Sequence, residues 1–466
     1  MFLRPALLRL RVLPALAALL LAACGTLPTI VPDMARSPEA PVPVQLEGRS
    51  GPLTPERSKE VLDRLKIGGQ QTEIFTRHLA REEAIAGSPL VAGNKVMLLQ
   101  DGPSTYRAMI ATIAAARDHI NMETYILEDD EVGQRFAAAL IAKQQQGVQV
   151  NLIRDSVGSF STPAEFWTRL TEAGIKVLEF NPVNPLSAKA GWDVNQRDHR
   201  KLLVVDGRIA FLGGINISSV YSGGSFSQGS RARPGGKLPW RDTDLQVEGP
   251  VVAEFQKLFI ETWEKQKGEE LAPRNYFPAP LPGGGEVMRA LGGSPDEPYS
   301  LIYATLLSAI GSAETEILLT NAYFVPDPQL RAALADAVKR GVEVKLVLPG
   351  STDSALVFHA GRSYYDELLS AGVKIFERQD ALLHAKTALI DGIWSTVGST
   401  NLDWRSFLHN QEINAVVLGA GFGAQMRAAF DRDVAASDEI TLAQWRQRTL
   451  DLRLKETLSR IWAYWL

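Results

Sequence analysis

The chain has 466 residues, 45% of them hydrophobic, and a formal net charge of -4. This length and apolar content predict two or more domains around a large core. The charged fraction of 22% is ordinary and carries no basic surplus, so DNA or RNA is not the expected partner.

The first residues have the pattern of an export signal. Arginines precede an apolar run over residues 12–21, which ends in Leu-Ala-Ala-Cys at Cys24, the single cysteine of the chain. The run is too short for a membrane-spanning helix, so we predict a signal peptide over residues 1–23. A plain secretory signal or a short membrane anchor is the alternative.

This segment resembles a bacterial lipoprotein signal, which implies that Cys24 is lipidated and becomes the mature N-terminus. Lipoproteins use Asp after the cysteine for inner-membrane retention, and here Gly25 follows. The resemblance therefore implies the periplasmic side of the outer membrane, with the inner membrane as the alternative.

Proline-rich composition predicts a tether over residues 24–53, between the anchor and the globular part. Thr54 followed by Pro55 is a helix-start signal, and we predict N-terminal helices within residues 54–90. A second Pro- and Gly-rich segment, residues 266–286, predicts a linker between domains over residues 91–265 and 287–466.

The two predicted domains repeat one pattern of strands and helices. Buried strands are predicted at 120–125, 148–153 and 175–178 in the first half, and at 317–323, 342–346 and 373–376 in the second. A glycine after each intervening helix predicts a left-handed C-cap. The alternation predicts an α/β fold of duplicated domains.

Each half then carries the pattern H-x-K-x4-D-x6-G-[GS]-x-N. The members in the first half are His199, Lys201, Asp206, Gly214 and Asn216, and those in the second are His384, Lys386, Asp391, Ser399 and Asn401. Two matches at equivalent places of a duplicated chain are far more specific than one.

Histidine and lysine two residues apart on a strand lie on the same face. The Asp-Gly pair predicts a two-residue hairpin turn, which would set His199 opposite Gly214 and His384 opposite Ser399. A small residue there would leave room for a substrate group, although a bulge would shift this register.

These residue types suit a phosphodiester. Imidazole acts as nucleophile or acid and base near neutral pH, while ammonium and amide groups bind phosphate oxygens. We therefore predict phosphate contacts from Asn216, Asn401 and Ser399. Because each half holds half of the machinery, the two hairpins are expected to form one active site at the domain interface.

Carboxylates are expected to orient the imidazoles. By alternation Asp206 and Asp391 face away from the histidines, so a turn-forming role competes with a catalytic one. We expect Glu412 to orient His384 and Asp242 to orient His199, with surface carboxylates as the alternative. The remaining histidines lack ligand spacing, so no metal site is predicted, and the Trp and Tyr residues are interpreted as core.

The paired motifs resemble those of the phospholipase D superfamily, and their flanking segments at residues 195–201, 213–217, 240–243, 321–324 and 398–403 resemble bacterial cardiolipin synthases. The resemblance covers residues 90–466. It implies mixed sheets flanked by helices, a pseudo-twofold axis, and catalysis by His199, Lys201, Asp206, His384, Lys386 and Asp391 without metal or cofactor. It also implies phosphatidyl transfer between phospholipids, with His199 as the nucleophile.

Two segments suggest contact with a membrane surface. Residues 222–239 form a Gly-, Ser- and Pro-rich insertion, interpreted as a mobile loop for anionic headgroups or as a disordered surface loop. Residues 450–466 have apolar side chains at helical spacing, which fits a membrane-surface helix or, more commonly, packing on the globule.

Three other functions share these features. The same site with water as acceptor is a phospholipase D, and the superfamily also contains nucleases, which the acidic balance and the anchor disfavour. A non-catalytic lipid-binding lipoprotein is the alternative from another class, and the two intact His-Lys pairs argue against it.

Overall fold

The computed structural model describes residues 44–66, 72–184, 192–223 and 238–466. The predicted signal peptide, Cys24 and most of the 222–239 insertion lie outside the described residues. No helix in the described ranges is long and apolar enough to span a membrane.

The first half contains strands β1 to β11. Their bounds are Leu46–Gly48, Gly51–Pro52, Leu90–Leu99, His119–Thr124, Gln149–Asp155, Lys176–Phe180, Arg197–Asp198, Lys201–Val205, Ile209–Gly213, Trp240–Arg241 and Asp244–Glu248. Helices α1 to α6 are Pro55–Leu65, Leu79–Ala86, Gly102–Ala115, Glu131–Gln145, Ala164–Glu172 and Val252–Lys265. A π-helical segment, Ile74–His78, leads into α2.

The second half contains strands β12 to β20. Their bounds are Glu286–Gly293, Glu316–Asn321, Glu343–Pro349, Lys374–Arg378, Leu382–Leu383, Lys386–Ile390, Trp394–Gly398, Asn410–Leu418 and Ser437–Ile440. Helices α7 to α14 are Leu301–Gly311, Pro328–Lys339, Ala355–Arg362, Tyr365–Ser370, Trp404–Leu408, Ala420–Ala435, Leu442–Arg446 and Leu450–Arg460. Short 3-10 turns cover Ser219–Tyr221 and Ala463–Trp465.

The two halves form one continuous mixed sheet. The main succession of paired strands is β6-β5-β4-β8-β9-β11-β3-β12-β19-β18-β17-β13-β14-β15-β20. The order of the first half is repeated in reverse by the second across the β3–β12 pair, which is the pattern of a pseudo-twofold axis. The predicted α/β fold of duplicated domains is confirmed.

Local sequence signals explain many of these elements. Thr54 caps α1 by accepting a hydrogen bond from the Arg57 N–H at 3.2 Å, and Pro55 occupies the first turn. Gly147 and Gly341, with φ of 86° and 93°, follow α4 and α8 as the predicted left-handed residues.

The N-terminal boundary of the globular part differs from the prediction. β1 and β2 lie within the range predicted as tether, and Leu46 pairs with Leu90 at the start of β3. Leu46 is fully buried because its side chain joins the core of the second half. The predicted tether therefore extends too far, and the chain enters the sheet by residue 46.

The central core lies on one face of the continuous sheet, at the seam between the halves. Phe255 and Phe259 of α6 pack there together with Phe422 and Phe430 of α12 and with strand residues from both halves. This shared apolar core holds the two His-Lys hairpins in fixed relative positions.

Candidate active site

Each motif lies on a hairpin whose register differs from the prediction by one residue. Arg208 N–H donates to the Val205 carbonyl at 3.0 Å, so Asp-Gly makes the expected turn. However, Val205 pairs with Ile209, which leaves Arg208 outside the ladder as a bulge. The second hairpin repeats this, with Ile390 paired to Trp394. The predicted oppositions of His199 with Gly214 and of His384 with Ser399 are therefore wrong.

Two short parallel strand pairs cross between the halves and determine what each histidine meets. β7 pairs with the start of β19, and the His199 N–H donates to the Gln411 carbonyl at 2.9 Å. β10 pairs with β16 in the equivalent way, and the His384 N–H donates to the Arg241 carbonyl at 2.7 Å. Each histidine is thereby placed beside the next residue of a strand from the other half.

Those next residues are the two carboxylates. Nδ1 of His199 lies 3.0 Å from Oε1 of Glu412, and Nδ1 of His384 lies 2.6 Å from Oδ2 of Asp242. The sequence prediction named both carboxylates but assigned each to the wrong histidine, because it assumed partners within one half. With Nδ1–H donating to a carboxylate, Nε2 of each ring is the atom left for chemistry: it can attack when the ring is neutral and give a proton when the ring is protonated.

The small residues of the motif support these carboxylates instead of receiving substrate. A Cβ atom on Gly214 would lie 2.2 Å from Oδ1 of Asp242, so only glycine leaves that carboxylate in place. In the other half the Ser399 hydroxyl, which is fully buried, donates to Glu412. This contact corrects the predicted phosphate-binding role of Ser399.

The lysines lie beneath the imidazoles. Nζ of Lys201 donates to the His199 carbonyl at 2.7 Å, and Nζ of Lys386 donates to the His384 carbonyl. Both lysines are buried. Each ammonium group keeps further donors for an anion in the site.

Burial and the repulsion between positive charges lower the pKa values of the two histidines and the two lysines in the site. Burial lowers the pKa of His199 to about 4, and the Lys201 and Lys386 charges act in the same direction. Burial and then the Lys386 charge lower the pKa of His384, against the opposing effect of Asp242.

Burial also lowers the pKa of Lys201 to about 7 and that of Lys386 to about 8. A bound phosphodiester favours the charged forms of these groups and offsets the desolvation.

Both histidines line one cavity of about 340 Å³ between the halves. The predicted Asn216 and Asn401 line it as well, and the buried Oδ1 of Asn401 has no hydrogen-bond partner within the described residues. Asn216 is positioned by the Ile126 N–H, which donates to its Oδ1 at 3.3 Å. The structure therefore brings the predicted histidines and asparagines to a single cavity.

Asp206 and Asp391 anchor the hairpin turns. The Asp206 carboxylate accepts hydrogen bonds from the backbone N–H groups of residues 117–119 at 2.8 to 3.2 Å. Asp391 accepts the equivalent bonds from residues 314–316. Both aspartates have left-handed backbones, with φ of 53° and 51°. These contacts favour the turn-forming alternative over the catalytic assignment, because the carboxylate oxygens of both aspartates are taken up by backbone N–H groups.

Aromatic residues that the sequence interpretation placed in the core also line the cavity. Tyr125 packs on the His199 ring at a centroid distance of 5.0 Å, and Trp240 packs on His384 at 5.2 Å. Tyr125 and Tyr323 follow equivalent strands β4 and β13, so their repetition was an available signal. Arg405 and Asp403, which follow the second motif, were also missed.

Within the described residues, no group of three or more His, Cys, Asp or Glu side chains is arranged to hold a metal ion.

The sheet consists of two equivalent halves, and each half supplies one histidine, one lysine and one carboxylate to the site. Both histidines line one cavity between the halves. This arrangement is that of the phospholipase D-like class of proteins. The family model described as "Cardiolipin synthase, PLD-like domain" matches residues 109–222 and 306–434. The chain belongs to this cardiolipin synthase family.

Similar proteins support this assignment. The chain is 34% identical over 410 residues to a cardiolipin synthase from Geobacillus thermodenitrificans, covering 87% of this chain and 78% of that protein. It is 33% identical over 401 residues to a cardiolipin synthase from Halalkalibacterium halodurans, covering 85% and 76%.

Among solved structures, phosphatidylserine synthase from Haemophilus influenzae matches with a TM-score of 0.62 and 13% identity, covering 83% of this chain and 99% of that one. At this identity the similarity supports the fold alone.

Proposed function

We propose that this protein is a cardiolipin synthase, which transfers the phosphatidyl group of phosphatidylglycerol, or a related phospholipid, to the glycerol headgroup of a second lipid. The observation that carries the proposal is one cavity lined by two imidazoles from different halves, each with a carboxylate on Nδ1. The family relationship supports the choice of substrate.

In the first step, Nε2 of one histidine attacks the phosphorus atom and the bond from phosphorus to the headgroup oxygen breaks. The other histidine, in its protonated form, gives its proton to that oxygen, so glycerol leaves as a neutral alcohol. We assign the attack to His199 and the proton transfer to His384. This assignment follows the resemblance to the family.

In the second step, the hydroxyl group of an acceptor lipid attacks the phosphohistidine. His384 now takes the hydroxyl proton, the N–P bond breaks, and His199 returns to its neutral form. In this mechanism Lys201, Lys386 and the amides of Asn216 and Asn401 stabilise the negative charge on the phosphate oxygens. The carboxylates hold both rings in the tautomer that this exchange requires.

The proposal is tested by following the products from phosphatidylglycerol labelled in both its acyl chains and its headgroup. We expect labelled cardiolipin and free glycerol in equal amounts, because one headgroup leaves for each transfer. Phosphatidate as the sole lipid product would assign a hydrolase to the same site. No consumption of lipid would refute both enzymes and favour a lipid-binding protein.

We also propose that the protein works at a membrane surface after export, anchored through lipidated Cys24 on the periplasmic side of the outer membrane. The basis is the sequence at residues 1–25, with its single cysteine after Leu-Ala-Ala. Cells grown with an alkyne-tagged fatty acid should label the wild-type protein, and Cys24→Ser should abolish the label. An unlabelled wild-type protein would refute the anchor while leaving the enzymatic proposal intact.

A further inference from the structure

The C-terminal helix α14 and the turn that follows it are folded with their apolar face outward. The exposed fractions are 80% for Leu450, 59% for Leu454, 53% for Leu458, 65% for Ile461, 55% for Trp462 and 61% for Trp465. In contrast, Glu456 and Ser459 on the opposite face are buried. A helix that only packed on the globule would have the reverse arrangement.

The buried Glu456 on the inward face has a hydrogen-bond partner, so the fold stabilises the helix with its apolar face outward. Nε of Arg448 donates to Glu456 at 2.8 Å, so the buried carboxylate has a charged partner. The helix packs along α9. Beyond the turn that follows the helix, Leu466 is held because its carbonyl accepts a hydrogen bond from the Arg405 N–H at 2.9 Å.

The apolar face is continuous with the mouth of the active site. Trp465 and Leu466 line the cavity together with His199 and His384. The exposed apolar face of α14 and its following turn therefore reaches the opening of the cavity at Trp465.

We propose that this surface, formed by Leu450, Leu454, Leu458, Ile461, Trp462 and Trp465, docks the enzyme on the phospholipid bilayer that holds its substrate. The inference rests on the proposed phosphatidyl transfer. An amphipathic helix that exposes leucines and tryptophans inserts them at the boundary between headgroups and acyl chains. In that position the cavity mouth faces the headgroups, and a lipid phosphate reaches the histidines while its acyl chains stay in the bilayer.

The charges and the position of this surface favour a bilayer over a second copy of the chain. The exposed charged residues of α14 are Asp451, Arg453, Lys455 and Arg460, with a positive balance. That balance suits a bilayer rich in anionic phosphatidylglycerol. A second protein molecule seated on Trp465 would cover the opening through which the donor lipid must enter.

The test compares two physical forms of one substrate. In the triple variant Leu454→Gln, Leu458→Gln and Trp462→Gln, we expect the rate on phosphatidylglycerol vesicles to fall about tenfold or more, because bilayer insertion is lost. The rate on a short-chain phosphatidylglycerol kept below its micelle concentration should stay unchanged. The changed residues do not line the cavity. Met97→Gln, which alters another exposed apolar residue, serves as the matched control and should leave both rates unchanged.

Three results would overturn the inference. An unchanged rate on vesicles would show that the surface does not dock, and an equal loss on both substrates would assign it to the stability of the site. A wild-type dimer that becomes monomeric in the variant, with vesicle activity retained, would identify an interface between copies. If the wild-type enzyme consumed neither substrate, the proposed function itself would fail.

Discussion

Replacing either His199 or His384 with alanine is expected to lower kcat by about 10⁴-fold or more, with the fold retained. The reason is that each ring performs a different part of one cycle, and neither half of the chain holds both. Turnover of labelled phosphatidylglycerol by each purified variant measures the effect. His359→Ala is a suitable control, because that histidine lies on α9 and does not line the cavity.

The two variants should differ in the step that they block. If His199 is the nucleophile, His384→Ala forms a phosphoenzyme slowly, because the leaving oxygen receives no proton from a histidine, and that phosphoenzyme persists because no base activates the acceptor. His199→Ala forms none. Rapid quenching and peptide mapping of the phosphorylated residue separate these cases. A variant of either histidine with wild-type turnover would contradict a shared site.

The second expected result concerns the carboxylates. Glu412→Gln and Asp242→Asn should each lower kcat by about 10² to 10⁴-fold, because the amide no longer stabilises an imidazolium or fixes the tautomer. The crossed arrangement adds a sharper expectation for NMR. Glu412→Gln should shift the ring resonances of His199, and Asp242→Asn should shift those of His384.

A glycine substitution tests the same arrangement without touching a charged group. Gly214→Ala should act like Asp242→Asn, because its Cβ atom would displace the Asp242 carboxylate. Gly285→Ala is the matched control, since a Cβ atom there meets no neighbour within 4 Å. If Glu412→Gln moved only the His384 resonances, the contacts across the seam would be disproved.

Local sequence patterns were sufficient to predict the duplicated α/β halves and the convergence of their two motifs. Helix caps such as Thr54, the left-handed glycines and the Asp-Gly turns act within a few residues, so they can be read directly. The spacing of His199 and Lys201, repeated at His384 and Lys386, then identified the chemistry.

The errors arose where distant segments meet. The pairing of His199 with Glu412 depends on β7 lying beside β19, a contact between residues more than 200 positions apart. The register of each hairpin depended on one bulged residue, which alternation alone does not reveal. The sequence left open which face of α14 is exposed, because the orientation of the helix depends on the Arg448–Glu456 pair and on packing against α9.

The exchange of short strands at the seam has an evolutionary consequence. Each half supplies the carboxylate that orients the imidazole of the other half. A chimaera made from halves of two relatives is therefore expected to be active only if both His–carboxylate contacts form. Selection is therefore expected to act on the two halves together. A change at residue 412 acts directly on residue 199 of the other half, because the two side chains are in contact. Residues 199 and 412, and likewise 384 and 242, are therefore expected to change together among relatives and not one at a time.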